Sequence, residues 1–313
     1  MFFLNQSARY AALFLLIGFL LVGVWRPMET SEPHDSLDGS WVSVLGEADR
    51  LGLVFGENAI FTGANLSPIY SKYFNKELFP IVLIINLFCA LVSASVIVYL
   101  LGNFRWTTII IMVASLPFWG LSRDALFLSL PLLAGLTYLV APPGRFTTGA
   151  TAFLSALSGI LVLAKFSVFP FAVFISILID IAAVSRRHYM FSTPILFLAL
   201  YIIYGFLNSF DPAAFLNYLK YSLDTAKNFG DAMSDHPDVL KLELSEIGLF
   251  IFASLLAFVS VIVTERTLVR NKRSDLQTAA LVLLIVLAYL FILLKTGFVR
   301  HDFHTRTAWT GLI

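Results

Sequence analysis

The chain alternates between long apolar runs and short polar connections, and nine of the runs approach the length of a membrane-crossing helix. They cover 10–25, 79–101, 106–121, 125–141, 147–164, 168–184, 191–207, 247–264 and 278–294. At a rise of about 1.5 Å per residue, about 20 apolar residues cross a hydrocarbon core about 30 Å thick, and about 17 to 25 are workable. Several runs lie at the short end of that range, where bounds shift by a few residues or the helix tilts. The pattern predicts an all-α polytopic protein of about nine spans, a single transmembrane domain over 1–313. The first run is followed by Val22-Gly23-Val24-Trp25-Arg26, a poor small-x-small cleavage site, so it reads as an uncleaved signal anchor.

Composition agrees with the pattern. Apolar residues make up 58% and charged residues 13% of the chain, with mean hydropathy +0.85, whereas a soluble domain has about 45–50% and about 25%. A net charge of +1 supplies no basic face for nucleic acid. The single cysteine, Cys89, sits in an apolar run, so neither an intramolecular disulfide nor a cysteine zinc cluster is available.

Charge asymmetry sets an orientation. With the N-terminus inside, the inner connections are 102–105, 142–145, 185–188 and 265–275. They carry Arg105, Arg145, Arg186, Arg187, Arg266, Arg270, Lys272 and Arg273 against only Glu265 and Asp275. The external face receives two long acidic loops, 26–78 and 208–246, and the segment 296–313. Residues 307–313 resemble the start of a tenth span, so a C-terminal portion is expected to be missing.

The first external loop contains a helical pattern after Ser36-Leu37-Asp38-Gly39-Ser40. Trp41, Val44, Leu45, Ala48 and Leu51 share a face, and Gly52 can terminate the helix. A short helix on the membrane surface fits, with Asp38 at its N-terminus as a capping carboxylate or a catalytic acid. The following GLVFGENAIFTGANLSPIY, punctuated by glycine and proline and rich in aromatics, predicts a loop packed over a cavity.

Elsewhere on that face the plain readings come first. Arg123 and Asp124 in the second external turn fit an interfacial anchor and cap. Lys165 fits a snorkelling lysine. Asp211-Pro212 is a cap followed by a first-turn proline. It introduces an interfacial helix with Phe215, Leu219, Ser222, Ala226 and Phe229 at helical spacing. The acidic stretch 231–246, with His236, matches no metal motif and reads as a solvated loop. Asp180, the carboxylate inside a span, reads as a snorkelling or paired group.

The C-terminal string KTGFVRHDFHTR places Lys295, Arg300, His301, Asp302, His304 and Arg306 directly after an apolar run. Arginine forks bind phosphate, histidine donates a proton or binds metal, and Asp302 can orient a histidine. On an external face, where positive charge is disfavoured, such a string suggests a phosphate site more than a basic headgroup patch.

Three strings, LDGSW, GLVFGENAIFTGANLSP and KTGFVRHDFHTR, resemble bacterial proteins within or beside the C-type membrane glycosyltransferases. The resemblance covers the three strings specifically and the rest of the chain loosely. It implies a multi-pass protein of the bacterial inner (cytoplasmic) membrane that transfers a sugar from a polyprenyl-phosphate donor to a lipid or glycan acceptor on the external side. It further implies Asp38 as the first-loop acid, a base or metal ligand, with Asp35 as the nearby substitute and Trp41 in support. Arg300, His301, Arg306, Lys295 and Arg123 would bind the donor phosphate, supported by Asp124, Asp302 and His304. The second external turn has a lone Arg-Asp pair in place of an Asp-x-Asp string. A carboxylate deprotonating the acceptor and positive charge on the departing phosphate suit glycosyl transfer, and a divalent cation could supply part of that charge. The alternatives are a surface-polysaccharide polymerase or ligase, which the long 208–246 loop suits, and a transport or non-catalytic assembly protein. No inverted repeat supports transport.

Overall fold

The computed structural model describes residues 6–25, 37–71, 76–101, 123–186, 190–233, 248, 251 and 276–298. The predicted run 106–121, nearly all of 247–264, Asp35 and the string from 299 onward lie outside these residues. The described chain forms helices α1 (Gln6–Val24), α2 (Leu37–Gly46), α3 (Ser67–Ser71), α4 (Phe79–Leu101), α5 (Arg123–Val140), α6 (Arg145–Val162), α7 (Val168–Ser185), α8 (Ser192–Leu207), α9 (Pro212–Met233) and α10 (Leu276–Phe298).

Five of them, α4, α5, α6, α7 and α10, are long and apolar enough to cross a membrane. Helices α8 and α9 form a pair bent by 109°, so the run predicted at 191–207 ends where α9 turns away. The chain is therefore an all-helical protein with several candidate spans among its described residues. Its outer surface is what lipid demands: Phe19, Phe206 and Phe291 are 79%, 73% and 65% exposed. Exposed apolar side chains on so many helices would be a liability in water and are the normal surface in a bilayer.

Inside, the helices approach closely where side chains are small. A Cβ added at Gly159 on α6 would lie 2.4 Å from the backbone oxygen of Leu196 on α8. Small residues let backbones meet this way in apolar surroundings, where dispersion contacts rather than water expulsion hold helices together. Along α1 the buried positions Leu13, Ile17, Leu21 and Trp25 recur every four residues. They form a stripe toward α4, whose Ala94 meets Gly18.

The bundle has two distinct ends. At one, Arg186 donates to the carbonyls of Tyr138 (2.9 Å) and Leu139 (3.2 Å) and to Thr278 Oγ1 (3.0 Å), fastening the end of α5 to the start of α10. A cation there complements the free carbonyls of a helix C-terminus. Tyr99, near the end of α4, meets Phe146, near the start of α6, at the same end (4.6 Å). At the other end lie the first loop, the start of α5, the α6–α7 turn and the α8–α9 turn. We call the two ends the arginine end and the loop end.

Asp180 has no ion-pair partner among the described residues and serves as a helix cap. Its two carboxylate oxygens accept the backbone N–H groups of Ser192 (2.5 Å) and Thr193 (3.1 Å), capping α8 from the neighbouring helix. The first N–H groups of a helix lack internal partners, and an anion suits that end of the dipole. Ser192 Oγ then joins Ser155 (2.6 Å) and Ser176 (3.1 Å) in a buried hydroxyl chain linking α6, α7 and α8. Asp180→Ala should cost about 1–2 kcal/mol of stability, measured as a lower thermal midpoint in detergent, and Asp180→Asn should cost less. An unchanged midpoint in the alanine variant would contradict the cap.

Helices are present over both segments predicted to be interfacial, with shifted details. Asp211 accepts from the N–H groups of Ala213 (3.0 Å) and Ala214 (3.3 Å), the predicted cap before a first-turn proline. The buried face of α9 is Ala214, Phe215, Tyr218 and Ser222; it shares Phe215 and Ser222 with the predicted stripe, Leu219 is half-buried and Ala226 is exposed, as the start of the helix packs beneath the first loop. In α2, Asp38 is the second helical residue. Leu45 and Ala48 are buried but Leu51 is 52% exposed, since the helix ends at Gly46 and the chain turns at Gly52, φ +64°.

Candidate functional site

The segment 53–71 is folded onto the helix ends. Phe55 donates its N–H to Asn208 Oδ1 (3.1 Å) and accepts from the Tyr204 hydroxyl (2.5 Å). Ala64 N–H reaches the Leu163 carbonyl (2.8 Å), and Phe166 N–H reaches that of Thr62 (2.7 Å). Ser222 Oγ donates to the Phe61 carbonyl at 3.0 Å. Asn65 donates to Asp49 Oδ1 (2.7 Å) and to the Leu207 carbonyl (3.3 Å). Backbone polar groups that water would otherwise satisfy are thus paired with the α6–α7 turn and with α8 and α9. Gly56 is needed there: its φ is +95°, and an added Cβ would lie 2.1 Å from the Ala214 carbonyl oxygen. The predicted packed loop is what the residues form.

Beneath this cap three side chains from three separate stretches of sequence meet. Lys165 Nζ, in the α6–α7 turn, lies 3.3 Å from Asp124 Oδ1 at the start of α5. It donates to the Tyr70 hydroxyl of α3 at 2.5 Å, and that hydroxyl donates to Asp124 Oδ2 at 3.2 Å. The ammonium also sits 3.8 Å from the centre of the Tyr70 ring, within cation–π range. Arg123 Nη1 donates to the Ile69 carbonyl at 2.7 Å, holding α3 against α5. The Asp124 side chain is 10% exposed and that of Lys165 25%, so the pair is largely withdrawn from solvent while the lysine keeps an opening.

Burial works against the Lys165 charge, but the Asp124 carboxylate and the Tyr70 oxygen outweigh it and hold the lysine above its ordinary value. Burial, reinforced by the Asp124 charge, pushes the Tyr70 hydroxyl up as well. Both shifts have the same sign. The stability they add is fully present below the ordinary tyrosine and lysine values, about 10, and is lost as pH rises through the raised folded values. The thermal midpoint should therefore owe no change to this cluster between about pH 6 and 9 and should fall only in stronger alkali. A fall within that window that disappears in Lys165→Met would contradict the assignment.

The sequence-derived candidates divide clearly. Arg123 and Asp124 belong to the cluster, Arg123 through a backbone carbonyl. Trp41 stacks on Phe61 of the cap, with ring centres 5.4 Å apart. Asp38 and Lys295 lie on described helices, α2 and α10. Asp35, Arg300, His301, Asp302, His304 and Arg306 lie outside the described residues. Helix α10 starts beside the arginine end, where Gln277 Oε1 accepts from Ser185 Oγ at 2.5 Å. It then passes Gly135 at Ile285 and Phe171 at Tyr289. Lys295 lies on α10 beyond Tyr289, toward the loop end.

Two participants escaped the sequence reading. Lys165 looked like a snorkelling lysine and Tyr70 like one aromatic among many, and only their shared external face with Asp124 hinted at a meeting. Among the described residues no three histidine, cysteine, aspartate or glutamate side chains come together as a metal site. No protein-family model matches the chain, and neither a curated protein nor a solved structure is significantly similar to it.

Proposed function

We propose that this chain is an integral membrane transferase that takes a sugar from a lipid-phosphate donor at the loop end, with Lys165 facing the donor phosphate. The observation that carries the reading is the partly open Asp124–Lys165–Tyr70 cluster under a folded external loop. An ammonium group has three donors. Asp124 and Tyr70 occupy two of them, which leaves the third for a phosphate oxygen approaching from the membrane surface. The Lys165 ammonium lies in surroundings where a charge acts more strongly than in water.

In this reading Asp38 on α2 is the base for the acceptor hydroxyl, with Asp35 as its substitute. Lys295 on α10 and Arg300, His301 and Arg306, which follow it in sequence, share the leaving phosphate in this proposal, with Asp302 and His304 in support. The start of α5 at the loop end and the end of α4 at the arginine end support a further crossing between them, as nine spans require. The inner-membrane location, inside N-terminus and external site of the sequence reading belong to the same proposal.

A second reading has its own observation. Every member of the cluster ties α3 to the bundle, so it could serve only to clamp the loop. Transfer from a radiolabelled polyprenyl-phosphate sugar, measured in proteoliposomes, separates the two. The transferase reading expects Asp38→Asn to abolish transfer with the thermal midpoint unchanged. Full activity of Asp38→Asn would remove the assigned base.

A further inference from the structure

Two buried polar side chains, at the end of α1 and on α4, have no hydrogen-bond partner among the described residues, and helix register puts them at about the same height. The indole Nε1 of Trp25 and both amide atoms of Asn86 are unpaired, and the two residues are only 1% and 2% exposed. Gly18 and Ala94 mark where α1 and α4 touch. Trp25 lies two turns from Gly18 toward the loop end, about 10 Å along the axis, and Asn86 lies a little over two turns from Ala94 in the same direction. Both belong to the buried stripes of these helices, spaced by four from Leu21 and Ala90. The Trp25 ring stacks on Phe127 at 5.5 Å, and Phe127 meets the Tyr70 ring edge-on at 5.8 Å. The unpaired indole N–H of Trp25 is thus joined to Lys165 through the rings of Phe127 and Tyr70.

Leaving an amide and an indole N–H without partners in an apolar interior is unfavourable. Their chemistry selects what would relieve it. Trp25 offers one donor, and Asn86 offers donors and an acceptor. Neither carries charge, so the complement is a neutral group that both gives and takes hydrogen bonds, namely a hydroxyl. We infer that Trp25 and Asn86 form a subsite for the hydroxyl groups of the donor's sugar, beside a phosphate held at Lys165. This rests on the reading under Proposed function and adds to it the residues that recognise the sugar.

The test separates the two levels. The protein in nanodiscs is titrated with a bare short-chain isoprenyl phosphate and with the same carrier bearing glucose, mannose, galactose or arabinose. Wild type should bind the bare carrier, and at least one sugar should tighten binding by about tenfold. Asn86→Leu removes the unpaired amide at similar volume, and Trp25→Phe keeps a ring on Phe127 while removing the N–H. Each should bring the sugar-bearing carrier to within about twofold of the bare one without changing affinity for the bare carrier. Thermal midpoints at or above wild type in Asn86→Leu would accompany this, since an unsatisfied group is gone. Retention of the sugar preference in both variants, or no preference for any sugar in wild type, would overturn the subsite and leave the phosphate assignment standing. Failure of wild type to bind the bare carrier would overturn the assignment on which the subsite rests.

Discussion

Lys165→Met is expected to destabilise the protein by about 2–3 kcal/mol, because it leaves the Asp124 carboxylate largely buried without its cation. The partial exposure of Lys165 places the loss below that of a fully buried pair. Asp124→Asn should lose less, since an amide can still hydrogen-bond Tyr70 and carries no stranded charge, although it leaves the ammonium with one fewer ionic partner. The double variant Asp124→Asn/Lys165→Met should recover most of the loss, as removal of both charges leaves neither unpaired. Thermal unfolding of the four proteins in one detergent measures the cycle. A double variant as unstable as the two single variants summed would mean that the charges do not interact.

Gly56→Val is the second large effect. Two independent penalties meet there: a left-handed φ that a β-branched residue resists, and a backbone carbonyl of α9 where the new Cβ would have to go. The carbonyl cannot rotate away as a side chain would, so the segment 53–71 must lift from α9. The loss should be about 3 kcal/mol or more at the cap, while the apolar helices persist. The signature is new tryptic cleavage at Arg50 in sealed vesicles with the loop side accessible, with helical circular dichroism unchanged. Gly52→Asn is the control. Its φ is also positive, but nothing lies within 4 Å of an added Cβ, and asparagine tolerates that conformation, so protease resistance should stay as in wild type. Equal cleavage in both variants would show that the close approach to α9 is unimportant.

The contrast between these sites and the bundle explains what could be read from the chain. Long apolar runs declare helices because 20 apolar residues have few other stable outcomes in lipid. The runs at 79–101, 125–141, 147–164, 168–184 and 278–294 accordingly correspond to membrane-length helices. Asp211-Pro212 declared its cap because the signal is local. The shared face of the first loop, Arg123-Asp124, Lys165 and the α8–α9 turn was legible from loop parity. Contacts were not. Whether Lys165 snorkels or pairs depends on where Asp124 and Tyr70 arrive, and those residues are far away in sequence. Asp180 gave the same ambiguity, resolved only by the approach of the α8 N-terminus. The α9 stripe was right at Phe215 and Ser222 and missed Ala214 and Tyr218, because periodicity finds an apolar face without saying whether lipid or a protein loop covers it.

The most direct measurement is the affinity of the bare isoprenyl phosphate for the stability-restored double variant, Asp124→Asn/Lys165→Met, beside wild type in nanodiscs. The account predicts that the variant, folded and capped, binds at least about tenfold more weakly because the ammonium that meets the phosphate is gone. Binding equal to wild type would contradict it and leave Asp124, Lys165 and Tyr70 as the clamp that fastens the first loop to the bundle.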